Sequence, residues 1–325
     1  MAYTVQIVVT PGSGDGRAKS TAGRLRKALA RRGHEARVQV FADLDRLLEW
    51  SATCEPTFSH LIAVGGDATL SASAAAAVRL SIPFVPVPCG FGNMFARAFG
   101  FRDETGRVIE LFERGQIRRV DVGTANGNDI FLSHRSYGLL AEVQEAVEQG
   151  RAQPRSRTMR LLAYLMMGER FLVRAPLTAI RVEVEGTVLA EDAAVVTVAN
   201  VETYRGFLSL TPTASPIDGF LDIFVIPGGS KLGVWTRIFK LLLRLPGRWN
   251  GLALCHGRHV RVTANGRTDE LTLRRRALPL LVLPESLELL KARQTEAEAE
   301  VAPAAIAACV PLVSESRAEG LPRRT

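Results

Sequence analysis

Apolar and polar positions along the first 120 residues switch between two periods. Tyr3–Val9, Glu35–Phe41, His60–Val64 and Ile82–Val87 are short runs rich in β-formers and read as strands. Ala18–Arg32 places Leu25 and Leu29 four apart and stops at Gly33, the spacing of an amphipathic helix. Asp43–Ser51, the Ala-rich Ala68–Arg79 and Met94–Phe99 carry helical patterns as well. Strand, loop and helix in repeated order predict a parallel sheet covered by helices, since parallel neighbours need a long crossover. Ligands bind such sheets at the carboxyl ends of the strands.

The texture changes near Val120. Asp121–Gly123, Ile130–Ser133, Ile180–Glu185, Ala193–Ala199, Gly219–Ile226, His259–Thr263 and Glu270–Leu273 are short strand candidates, and Leu278–Leu283 is a late one. They predict a mostly antiparallel second domain. Arg151–Arg174 and Lys231–Arg248 read as basic helical insertions, and Ser286–Ala292 as a short helix. The expected division is residues 1–120, residues 121–292 and an Ala/Glu/Pro/Ser-rich tail, 293–325, without fixed structure.

The chain has 325 residues, 47% hydrophobic and 23% charged, enough for two globular domains. That composition excludes a disordered chain, a fibre and a disulfide-stapled miniature. No run approaches the roughly 18 apolar residues of a membrane span. The opening MAYTVQIVVTPGSG lacks the pattern of a signal peptide. Lysine and arginine exceed aspartate and glutamate by 41 − 33 = 8, which favours phosphorylated ligands, anionic membranes or nucleic acid. No motif for reading nucleic acid is present, so nucleic acid is not an expected partner. The cysteines (Cys54, Cys89, Cys255, Cys309) lie far apart, as in a reduced compartment. His256 and His259 lack partners at metal-ligand spacing.

Three loops carry the candidate chemistry. The first, Gly12–Ser20, nearly matches two phosphate fingerprints and satisfies neither: Ala18 precedes Lys19-Ser20, and Arg17 stands where a third glycine belongs. A tight turn offering free amides to an anion and a plain turn remain equal readings. The second, Gly65-Gly66-Asp67-Ala68-Thr69, follows a buried-type strand. Paired glycines let backbone approach a ligand, and Asp67 can hold Mg²⁺-nucleotide, orient a hydroxyl or simply cap the next helix. The third, Pro88-Cys89-Gly90-Phe91-Gly92-Asn93, follows another strand, so both loops share one sheet edge.

The pair GGDATL and PCGFGNMFARAFG resembles the diacylglycerol kinase catalytic-domain family of bacterial lipid kinases, sphingosine kinases and ceramide kinases. The likeness runs over about residues 3–285. It takes in Thr10-Pro11 with Ser13-Gly14, then Val120–Gly123, the Phe131–Gly138 region, TPTASPIDGFLDIFVI (Thr211–Ile226) and Ala277–Pro284. The resemblance implies an α/β fold: a Rossmann-like parallel-sheet ATP-binding domain and a mostly antiparallel, β-sandwich-like second domain whose last segment returns to the first. It implies nucleotide contacts from Thr10, Ser13, Gly14, Gly65, Gly66, Asp67, Ala68, Thr69, Gly90, Phe91, Gly92 and Asn93. ATP and Mg²⁺ follow from it, with Asp67 at the nucleotide metal, and Asp218 and the Phe220 backbone at a structural one.

This chain departs from the family pattern at chemically important positions. Ala68 replaces a glycine, Phe91 a threonine, Met94 an aspartate, and Ile217 the first acid of a DDG segment, which counts against the structural ion. Asn265-Gly266-Arg267 stands where the family's proposed base lies in a DGE triplet, with Asp269 as a substitute acid downstream. The expected activity is transfer of the γ-phosphoryl group of ATP to a diacylglycerol-like hydroxyl, at reduced rate. The alternative is a catalytically silent relative that binds nucleotide or lipid. Expected partners are a lipid substrate and an anionic membrane surface, with a homodimer left open. The expected location is the cytoplasmic membrane face, peripherally bound. Lys231–Arg248 puts Val234, Trp235, Ile238, Leu241, Leu242 and Leu245 on one stripe, opposite Arg237, Lys240 and Arg244. That stripe suits a bilayer surface and a protein core alike, and the need of a lipid kinase to reach its substrate favours the bilayer.

Overall fold

The computed structural model describes residues 2–10, 16–90, 92–139, 141, 179–202, 204–205, 208–242, 245 and 252–301. Expectations for Ser13, Gly14, Phe91, Arg151–Arg174, Arg244 and residues 302–325 lie outside them.

The amino-terminal elements follow the sequence pattern. Strand β1 (Thr4–Val9) leads to α1 (Arg17–Arg31), β2 (Glu35–Val40), α2 (Leu44–Thr53), β3 (His60–Gly65), α3 (Asp67–Leu80) and β4 (Phe84–Pro88). The four strands pair in parallel in the order β2-β1-β3-β4. All six residues of β3 are buried, which is why that segment reads as one continuous apolar run. The helices pack in two pairs, α1 with α5 (Thr105–Arg114) and α2 with α3. Helix α5 has no counterpart in the sequence reading. A short α4 (Met94–Ala98) links β4 to it.

The chain then turns antiparallel, as the pattern requires. β5 (Gln116–Ala125), β6 (Asp129–Phe131), β7 (His134–Gly138), β8 (Ile180–Val184), β9 (Thr187–Ala199), β12 (Leu221–Pro227), β13 (Ala253–Gly257) and β14 (His259–Ala264) extend the sheet. A separate two-stranded ribbon pairs β10 (Tyr204–Arg205) with β11 (Leu208–Ser209). The fold class expected from the pattern is the fold class observed: a helix-covered parallel sheet followed by antiparallel strands.

The two late strand candidates are a single strand, β15 (Arg267–Val282). Its first half pairs with β14, and its second half lies parallel to β4 through Leu280 and Phe84. β5 accompanies it antiparallel along both halves, with a register break between Arg274 and Leu278. The last helix, α7 (Pro284–Val301), is longer than Ser286–Ala292 and replaces the structureless tail expected from residue 293 through Val301. Helix α6 is described over Lys231–Leu242, and Arg248 lies outside the described residues. Its stripe residues Val234, Ile238 and Leu241 are buried against Phe224, Ile226 and Leu254 of the sheet, with Trp235 half-buried beside them. The core reading therefore holds for Val234, Ile238 and Leu241, while Leu245 of the stripe and Leu232 of α6 are exposed.

Candidate functional site

The two glycine loops sit side by side because β3 and β4 are adjacent parallel strands, with Gly65 in register with Pro88. The Cys89 N–H donates to the Gly65 carbonyl at 2.8 Å. Gly66 and Gly90 then touch backbone to backbone. A Cβ on Gly90 would lie 2.7 Å from the Gly66 Cα, so glycine is required there by packing. A Cβ on Gly65 would strike the Thr69 side chain, and one on Gly92 would lie 2.7 Å from Asp67 Oδ2.

Asp67 ties the loops together. Its Oδ2 accepts from the Asn93 N–H at 2.7 Å and its Oδ1 from the Met94 N–H at 3.0 Å. The carboxylate thus satisfies donors at the start of α4, to which a helix dipole adds. Asn93 is buried, has φ +49° and donates through Nδ2 to the Gly90 carbonyl. Thr10, at the end of β1, shares a 2.6 Å hydroxyl contact with Thr69, and both are buried. Ala68 lies exposed in the first turn of α3 with ordinary helical backbone, so replacing the family's glycine brings no backbone strain. Thr10, Gly65, Gly66, Asp67, Thr69, Gly90, Gly92 and Asn93 therefore form one cluster.

A second cluster forms around Asp121. This buried carboxylate accepts from the Gly219 N–H through Oδ2 at 2.9 Å and from the Arg276 N–H through Oδ1 at 2.6 Å. Asp218 Oδ1 accepts from the Phe220 N–H at 2.9 Å. Burial pushes the Asp218 carboxyl up to about 7; the Phe220 N–H opposes this, and the Asp222 carboxylate adds to it. Asp222 is fully buried, accepts from the Thr213 hydroxyl at 2.5 Å and contacts His256 Nδ1 at 2.9 Å. This Asp–His pair was invisible in sequence, because its members lie 34 residues apart on neighbouring strands.

Two links join the clusters. Buried Asn200 donates to the carbonyls of Asp121 and Leu132, and the Leu132 N–H donates to Ser71 Oγ in α3. On the other side, α7 sets Leu289 against Gly100, just beyond α4, and Gln294 against Asp218.

The structure does not bring Asn265, Arg267 or Asp269 to the glycine loops. Asn265 and Gly266, at φ +52° and +73°, are the central pair of the tight hairpin turn between β14 and β15, with Arg267 opposite Ala264. An Asn-Gly pair with both φ positive is the signature of such a turn. Asp269 accepts from Asn126 Nδ2 and from the Tyr137 hydroxyl, each at 3.0 Å. Burial, with the Asp269 carboxylate, raises the Tyr137 phenol far above its usual range, so it remains a donor. Asp269 fastens the β5–β6 turn to β15. The residues that face Asp121 and Gly219 are Arg275 and Arg276, which carry no motif in the sequence.

The glycine backbone fits a phosphate-bearing ligand, since no Cβ screens Gly66. The buried Asn93 Oδ1, an acceptor with no hydrogen-bond partner among the described residues, suits a ligand hydroxyl, an amine or a cation rather than a phosphate oxygen. Among the described residues no three His, Cys, Asp or Glu side chains converge to hold a metal. A divalent cation here would depend on phosphate oxygens together with one or two carboxylates, the usual habit of Mg²⁺.

A diacylglycerol kinase catalytic domain matches residues 4–125, and a YegS C-terminal NAD kinase beta sandwich-like domain matches residues 134–291. The chain thus carries a diacylglycerol kinase catalytic domain followed by a YegS-type C-terminal domain. It is 28% identical over 213 residues to an uncharacterized protein of Synechocystis sp. and 27% identical over 191 residues to a diacylglycerol kinase of Bacillus subtilis. These alignments cover 64% and 58% of this chain, and only 48% and 61% of those relatives. A diacylglycerol kinase of Bacillus anthracis has the same fold, with a TM-score of 0.65 at 18% identity over 87% of this chain and 98% of that one. Among the described residues no helix is long and apolar enough to cross a membrane.

Proposed function

We propose that the chain is an ATP-dependent lipid kinase that transfers the γ-phosphoryl group of ATP to the hydroxyl of a diacylglycerol-like lipid. The observation that carries this reading is the pair of glycine loops drawn together by Asp67 at adjacent strand ends, in a chain that carries this catalytic domain. Phosphoryl transfer asks the protein mainly for positioning and charge stabilisation. Gly66 and Gly90 let backbone amides approach phosphate oxygens, and Asn93 Oδ1 would accept from a hydroxyl or amine of the nucleotide. Asp67 would help hold Mg²⁺, which when bound supplies neutralisation of phosphate charge. The outer face of α6, with exposed Lys240 and half-buried Lys231 and Arg237, would meet an anionic bilayer peripherally at the cytoplasmic side. The direct test is transfer of radiolabelled γ-phosphate from ATP into a mixed lipid extract, with products separated by chromatography. Label in a lipid product that vanishes with Gly90→Ala supports the reading; no labelled lipid from folded protein overturns it.

A second reading, a relative that binds nucleotide or lipid without turnover, is favoured by one observation. The expected base position is an exposed hairpin turn, and Arg275 and Arg276 lie at Gly219 and Asp121. ATP binding in calorimetry without any labelled lipid would select it.

A further inference from the structure

We propose that Arg258 and Arg275 form a phosphate-binding cradle on the Gly219–Phe220 turn, a second anion site distinct from the glycine loops. The cradle is assembled by a break in β15. Between Arg274 and Leu278 the register with β5 shifts, and the extra residues stand opposite Asp121. Arg276 adopts φ +49°, a conformation that costs a residue with a Cβ, and its N–H is pinned to Asp121. The other oxygen of Asp121 pins Gly219, whose φ is +85°. One buried carboxylate thus clamps two left-handed turns against each other.

That clamp sets the arginines. A Cβ on Gly219 would lie 2.9 Å from Arg275 Nε, so the guanidinium rests directly on this glycine. From the other side, Arg258 Nε donates to the Gly219 carbonyl at 3.0 Å, with its guanidinium 4.8 Å over the Phe220 ring. Among the described residues no carboxylate pairs with the side chains of Arg275 or Arg276, and both are exposed. Arginines elsewhere on the same strands are paired: Arg181 with Glu183 and Glu191, Arg261 with Glu183 and Glu270. Planar donor forks left without carboxylates, held around one turn, match the geometry of a phosphate group. Helix α7 ties this turn to the amino-terminal elements: Gln294 reaches Asp218 five residues along from Leu289 at Gly100, about 7.5 Å of helix rise.

The phosphate can belong to a nucleotide or to an anionic lipid headgroup, and the test separates them. The double variant Arg258→Gln/Arg275→Gln is compared with Arg26→Gln/Arg267→Gln, which removes equal charge from exposed positions outside the cradle. Each is titrated calorimetrically with ADP and with inorganic phosphate, and sedimented with phosphatidylcholine vesicles containing phosphatidylglycerol. Removing each charged donor should weaken binding about tenfold. Weakened ADP or phosphate binding assigns the cradle to nucleotide phosphates. Weakened vesicle binding with ADP unchanged assigns it to lipid headgroups. Losses no larger than the control's in all three arms overturn the inference. The single variant Arg275→Gln, which alters one exposed head group, decides the matter if the double variant melts early. These are binding measurements, so they stand apart from labelled-phosphate transfer: a protein that makes no labelled lipid but loses ADP affinity in the variant keeps the cradle and loses the kinase reading.

Discussion

At Gly90 an added Cβ would lie 2.7 Å from the Gly66 Cα, with backbone on both sides and no flexible side chain to yield. Gly90→Ala should therefore cost about 1–3 kcal/mol of stability, as overpacking does, and abolish ATP binding by parting the loops. Thermal melting and calorimetry read the two effects separately. Unchanged melting and unchanged affinity would mean the loops are not held as described. Asp218 gives a pH dependence. Its carboxyl titrates near 7 in the folded chain, against an ordinary value of 3.8. Below 3.8 it is protonated in both states. Between 3.8 and 7 the unfolded chain releases a proton the folded chain keeps, so stability falls across that window and stays level above it. Asp218→Asn should flatten this slope and raise the melting temperature at pH 8. A variant with the same slope as wild type would place the pH dependence elsewhere. At this scale the glycines were legible, because Gly65-Gly66 and Gly90-Phe91-Gly92 each follow an apolar strand. Asp67 as a clamp on Asn93 was not, since its partners lie 26 and 27 residues away and only the parallel register of β3 and β4 brings them together.

Elements show why the base position was misplaced. Counting back from the closing strand leads to Asn265–Arg267, but Asn-Gly with both φ positive closes the β14–β15 hairpin. The double change Asn265→Asp with Arg267→Glu should leave phosphoryl transfer within about twofold of wild type, because the turn accepts aspartate and points to solvent. A rise of tenfold or more would return the base to this turn. Helix α6 teaches a similar lesson. Periodicity alone gives an apolar stripe, and both a bilayer and a core want one. The choice is made by Phe224, Ile226 and Leu254, which come from distant strands. Ile238→Asp should therefore unfold the protein. Arg237→Glu with Lys240→Glu should spare the fold and weaken sedimentation with anionic vesicles, by roughly 1 kcal/mol per basic residue. Equal sedimentation of wild type and variant would remove this face from any membrane contact.

For the whole molecule, β15 is the decisive element. Read as two short runs, Glu270–Leu273 and Leu278–Leu283, it suggested a boundary near residue 120 and a late return. Read as one strand of 16 residues, it belongs to both parts. Leu278, Leu280 and Val282 are fully buried in the same core as Val5, Ile7, Leu61 and Phe84. Residues 1–120 alone would leave β4 as an exposed edge and open that core to water. We expect the isolated 1–120 segment to show no cooperative melt and little amide protection, despite carrying both glycine loops. In the full chain, Leu280→Ala should cost about 2–5 kcal/mol, the range for deleting a buried leucine. Because the strand is shared, that loss should lower one common transition rather than split it in two. Calorimetry of the variant distinguishes the cases. If the amino-terminal part melts early while the antiparallel part keeps its own temperature, β15 joins two independent bodies, and the boundary near residue 120 is a real folding boundary after all.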